Sequence, residues 1–138
     1  MKDRPVIVHN LEDARTAVRV AAELGCPVTL RSAPGAAAYL GPQVFRDMIE
    51  EATGGHGGMI VEAVFDCGDD PGLALAALRQ GLKVVRIDAP RETFEKIADI
   101  AARTGARVED PGAPGGEPLD LLDVSDAQAA IRIWLSED

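Results

Sequence analysis

Four short apolar runs recur along the chain: Val6-Ile7-Val8, Val28-Thr29-Leu30, Met59-Ile60-Val61 continuing through Ala63-Val64-Phe65, and Val84-Val85-Arg86-Ile87. A weaker fifth run is Ala106-Arg107-Val108-Glu109. They are nearly continuous rather than alternating, the pattern of strands buried on both faces in a parallel sheet. Helix-period stripes lie between them. Leu11, Ala14, Val18 and Ala21 form the first, and Val44, Phe45, Met48, Ile49 and Ala52 the second, with Pro42 suited to the first helical position. Leu73, Ala74, Ala77 and Leu78 form the third, and Phe94, Ile97, Ala98 and Ala101 the fourth. Three of these stripes stop at a glycine (Gly25, Gly81, Gly105), which suits the left-handed position that closes a helix.

The repeat strand, helix, glycine, strand predicts an α/β fold with right-handed crossovers. A complete eight-stranded (β/α) barrel needs roughly 200 residues or more, and this chain has 138. The favoured expectation is a single-domain, mostly parallel five-stranded sheet with helices on both faces, in flavodoxin-like order. The alternative is a half (β/α) barrel, which would need a second copy to cover its inner face. Residues 1–110 read as the α/β domain and 111–118 as a Pro/Gly linker. Residues 119–138 read as an acidic segment with a terminal helix. Leu119 to Val124 could form a short edge strand or a plug for a groove. Ser125-Asp126-Ala127-Gln128 fits a capping box opening the last helix.

Composition narrows the classes. With 46% hydrophobic residues a packed core is within reach, and no stretch approaches the about 20 apolar residues of a membrane span. The formal net charge is −9, which repels phosphate backbones and argues against nucleic acid. The acidity is concentrated: residues 109–138 hold eight acids against Arg132 alone. The residues before them are close to neutral. The N-terminal residues lack the long apolar stretch of a secretory signal, so a cytoplasmic setting with Cys26 and Cys67 reduced is expected. Two cysteines exclude a disulfide framework or a four-thiolate metal site.

In parallel sheets ligands bind at the carboxyl ends of the strands. Those ends carry His9-Asn10, Arg31-Ser32, Asp66-Cys67-Gly68-Asp69-Asp70, Asp88-Ala89-Pro90 and Glu109-Asp110-Pro111. His9, Asp66 and Asp88 are the candidate catalytic residues. His9 would move a proton, oriented by Asp66 or Asp88. Arg31, Ser32 and Cys67 are the candidate ligand-binding residues, with the Arg31 fork suited to a carboxylate or phosphate. Structural readings compete at each place. Asn10, Asp70 and Asp88 suit helix N-caps and Ser32 a turn cap. His9 suits a histidine hydrogen-bonded to a neighbouring carboxylate or backbone group, Arg31 an ion pair with Asp66 or Asp88, and Cys67 an inert buried thiol. Gly54-Gly55-His56-Gly57-Gly58 follows a helix and precedes a strand, the wrong order for a phosphate loop. No metal site is predicted: the Asp66, Asp69, Asp70 spacing is not a calcium loop, and magnesium held by one or two of these carboxylates plus a ligand phosphate has only a weak signal. The residues define no cofactor.

Asp66 lies where receiver domains of two-component signalling keep their phosphorylated aspartate. His9-Asn10 replaces the acidic pair expected after their first strand, however, and no lysine follows the fifth. Asp66-Cys67-Gly68, the Ala/Leu-rich helix, Gly81 and the Val-rich strand resemble one βα unit of aldolase-type barrels. That resemblance covers a single unit and assigns no family. Two functions remain. The first expectation is a binding or protein-interaction module, homodimeric through the face of Ile131, Trp134 and Leu135 on the C-terminal helix. The alternative is a lyase or isomerase acting on a small anionic metabolite at the strand ends.

Overall fold

The computed structural model describes residues 4–56, 58–112 and 117–137. The strands are β1 (Pro5–Ile7), β2 (Val28–Arg31), β3 (Ile60–Asp66), β4 (Val84–Arg86), β5 (Arg107–Glu109) and β6 (Leu119–Asp120). The helices are α1 (Leu11–Leu24), α2 (Pro42–Thr53), α3 (Pro71–Arg79), α4 (Arg91–Ala102) and α5 (Ala127–Ser136), with a short 3-10 turn at Ala36–Ala38. Of the expected linker, residues 113–116 lie outside the described residues, as does Gly57 of the glycine-rich turn.

The fold is α/β with one all-parallel sheet in the order β5-β4-β3-β2-β1-β6. It has six strands rather than five, the extra one being the edge strand at Leu119–Asp120. The order is sequential, as in the half-barrel alternative, and not flavodoxin-like. A flavodoxin-like sheet reverses direction after its first crossover, and that reversal is what places helices on both faces.

Two compact units divide the chain. The first takes residues up to Arg31, Asp47–Ala63 and the C-terminal segment from Gly115. Here β1 pairs with β2 on one side (Ile7 opposite Arg31) and with β6 on the other (Ile7 opposite Asp120). Val6, Val8, Val28 and Leu30 face α1 and α5 in one core with Ala14, Val18, Ile131 and Leu135. By strand alternation Ile7, Arg31 and Asp120 take the opposite face. Helix α1 starts where Asn10 accepts the Asp13 amide and ends at Gly25, φ 63°, both as expected. Helix α5 differs: Asp126, not Ser125, is its N-cap and accepts the Ala129 amide.

The second unit takes Ser32–Arg46 and Val64–Pro114. Strands β3, β4 and β5 follow one another with both crossovers stepping the same way, so right-handed connections put α3 and α4 on one side. Phe65 stacks on Phe45 with centroids 5.0 Å apart, an arrangement that contributes about 0.5–1.5 kcal/mol beyond area burial. Asp70 caps α3 through the Gly72 and Leu73 amides, with Pro71 in the first turn. The register sets Asp66 opposite Arg86, and Arg86 opposite Glu109. Three charged side chains therefore share one row on one face.

Candidate functional site

In the second unit that row forms a continuous ion-pair ladder. Arg86 Nη1 donates to Glu109 Oε1 at 2.7 Å, and Arg86 Nε lies 3.6 Å from Asp66 Oδ2. Arg86 Nη2 donates to the carbonyl of Pro111 at 3.2 Å, so the chain leaving β5 folds onto the guanidinium. Asp66 Oδ1 accepts the amides of Gly35 and Gly68, each at 2.9 Å. Those glycines belong to the loops after β2 and β3, and both have positive φ (69° and 61°). An L side chain there would adopt a conformation costing roughly 1–2 kcal/mol. Ser32 completes the cluster: its Oγ accepts the Asp66 amide at 2.8 Å. Asp66 thus pins two loops and a neighbouring strand end.

In the first unit the carboxyl ends carry a different pair. His9 Nε2 lies 2.6 Å from Asp120 Oδ1, and the same oxygen accepts the Leu122 amide at 2.9 Å. The His9 amide donates to Asp13 Oδ2 at 2.9 Å. Burial acts to raise the Asp120 carboxyl. The hydrogen bonds from His9 and Leu122, with the His9 charge, outweigh it, so the group sits below its ordinary value. The Val8 amide bonds to the Arg31 carbonyl, extending the ladder, so His9 follows Ile7 on the face of Arg31 and Asp120.

Of the residues proposed from sequence, His9 and Arg31 lie in the first unit, and Ser32, Asp66, Cys67 and Asp88 in the second. The partner of His9 is Asp120, not Asp66 or Asp88. Asp66 is paired with Arg86 rather than Arg31. Asp88 is exposed and donates its amide to the Gly68 carbonyl; it does not cap α4, whose N-cap is Pro90. Cys67 is buried with its thiol toward the Phe65 carbonyl. Burial, with the Asp66 and Asp70 charges adding, pushes that thiol up to about 12. Burial and a retained proton fit the reading of Cys67 as an inert buried thiol. Nor do Leu121 and Leu122 form a plug: Leu121 packs in the first unit's core and Leu122 is exposed.

Arg86, Asp120 and the Gly35–Gly68 pair were not singled out from sequence. Arg86 had a signal, a charge inside an apolar run at the same strand parity as Asp66. Asp120 had only the alternation of Leu119-Asp120-Leu121.

The profile of class-II fructose-bisphosphate aldolases matches residues 5–113, most of the chain. The chain belongs to the class-II fructose-bisphosphate aldolase family. A solved structure from Coccidioides immitis, assigned as a fructose-1,6-bisphosphate aldolase, is 18% identical with a TM-score of 0.65 over 79% of this chain. The match takes in 45% of that structure, so the chain spans less than half its length. No curated protein matches the sequence. The family overturns the expectation of an interaction module joined through the C-terminal helix and favours the enzyme alternative. Helix α5 packs its Ile131 and Leu135 into the core shared with α1 of its own chain. Among the described residues no helix is long and apolar enough to cross a membrane.

The class-II designation implies a divalent metal ion. The described residues do not fit one. No three His, Cys, Asp or Glu side chains among them are grouped to hold it. Of the two histidines, His9 has Nε2 committed to Asp120, and His56 is exposed on the turn before β3. Cys67 keeps its proton, and only a thiolate ligates.

Proposed function

We propose that this chain is a lyase-type domain of the aldolase family, acting on a small phosphorylated β-hydroxycarbonyl compound at the carboxyl ends of its strands. The reading is carried by the family match over residues 5–113, which spans β1 to β5 and all their ends. Arg31 supplies positive charge for the phosphate at the end of β2, in the row of Ile7. Within the second unit Asp66 holds the loops after β2 and β3 in place. The described residues hold no grouped set of metal ligands, so no step here is routed through a metal ion.

The purified protein should release carbonyl products from a panel of phosphorylated hydroxyketones, fructose 1,6-bisphosphate included, and should do so in excess EDTA. Arg31→Ala should raise KM at least tenfold. Absence of both cleavage and ligand-induced thermal stabilisation across the panel at millimolar concentration would overturn the reading.

A further inference from the structure

The His9–Asp120 pair reaches beyond the family match, because Asp120 stands on β6, past residue 113. Nothing in the family assignment therefore gives it a role. Its geometry does. The Asp120 carboxylate is ionised at neutral pH and only accepts, so the ring nitrogen 2.6 Å away must be the donor. In the neutral imidazole the proton sits on Nε2 and Nδ1 carries a bare lone pair. Among the described residues Nδ1 has no hydrogen-bond partner, and it is not one of the buried unpartnered atoms. Both members are held in place. The Leu122 amide fixes the carboxylate, and the Asp13 carboxylate fixes the His9 backbone. The charged groups on the elements next to His9 are Asp120 on β6, Glu12 and Asp13 in the first turn of α1, and Arg31 at the end of β2.

We propose that His9 and Asp120 form an acid–base pair, with His9 Nδ1 as the general base and Asp120 as its positioning residue. The hydroxyl proton of a β-hydroxycarbonyl substrate passes to Nδ1, and the released O–H electron pair closes the new carbonyl. The Cα–Cβ bond breaks, and its electron pair moves onto the existing carbonyl as an enolate. The imidazolium then returns its proton to Cα, so no further reactant is consumed. The choice of reaction rests on the lyase reading above; the tautomer and the open lone pair do not.

Long-range proton–nitrogen spectra of the 15N-labelled protein separate the two. His56, exposed on its turn, is the internal reference. Neutral His9 should populate the Nε2–H tautomer, and Asp120→Ala should return it to the mixture seen for His56. Diethyl pyrocarbonate should acylate His9 faster than His56, and Asp120→Asn should remove that advantage. In the cleavage assay His9→Gln and Asp120→Asn should lower kcat by about 100-fold or more, with KM within about twofold, the acidic limb of the pH profile being lost in the first and displaced in the second. An Nδ1–H tautomer in the parent protein, or a tautomer unchanged in Asp120→Ala, overturns the pair. The expected tautomer and acylation with no cleavage by the parent protein support the pair and remove the lyase reading.

Discussion

The strand ends of the two units use charge in opposite ways. In the second unit Asp66, Arg86 and Glu109 have side chains only 11%, 17% and 17% exposed. Both oxygens of Asp66 and all three guanidinium nitrogens of Arg86 have partners. In the first unit His9 and Asp120 are 21% and 44% exposed, and one ring nitrogen has no partner among the described residues. A buried charge network is tolerated only when it is fully paired, and full pairing leaves nothing to react. A half-exposed pair adds little stability, yet it keeps a basic atom available. The ladder therefore suits a scaffold and the His9–Asp120 pair suits chemistry.

The strongest way to break this contrast is Asp66→Ala. It frees two loop amides and leaves Arg86 with one carboxylate, and should cost about 3–5 kcal/mol in urea unfolding. Asp66→Asn keeps an acceptor and should cost less. If Asp66→Ala were as mild as a surface change, the scaffold role would fall.

The alkaline limb sharpens the comparison next. Cys67 holds its proton in the fold up to about 12, against 9.0 for an ordinary thiol. The unfolded chain releases that proton first, so stability should decline as pH rises from 9.0 toward 12. Cys67→Ala should flatten that decline. In the native protein a thiol reagent should modify Cys26, which is only partly buried, well before Cys67.

Gly68→Ala comes third. The added Cβ would meet the Gly35 backbone at an ordinary 3.5 Å, so its cost comes from the positive φ, about 1–2 kcal/mol in thermal unfolding. A neutral result would show that the loop held by Asp66 can relax.

Asp120→Ala should have the smallest effect on stability, under about 1 kcal/mol near pH 7. Its carboxyl is lowered in the fold, so its contribution is fully present above the unfolded carboxylate range and is lost as pH falls through the folded value. The parent and variant unfolding curves should therefore converge below pH 3.8. A larger loss from Asp120→Ala than from Asp66→Ala would invert the contrast between the units.

Much of the fold was legible because its signals are local. Val6–Val8 and Val84–Ile87 report burial directly. Gly25 closes α1 and Asp70-Pro71 opens α3 through contacts within a few residues. The site was legible in part: the strand-end argument reached His9, Arg31, Ser32 and Asp66. It assigned the wrong carboxylate to His9, because Asp120 is 111 positions away and sits in a two-residue strand with no strong pattern. It placed Cys67 at the strand ends, where the thiol is buried against the Phe65 carbonyl.

The sequence by itself determined which segments become β1 to β5 and the helices, that Gly25 closes α1, and that β1, β2 and β4 are largely buried, whereas β5 is more exposed. Those are properties of neighbouring residues and of side-chain transfer from water. Only the tertiary structure decided the sequential strand order, the place of β6 beside β1 and the partners of His9 and Asp66. Apolar runs of similar composition can pair in several orders, and a charge finds its partner through register and crossover direction, which no single stretch of the chain encodes.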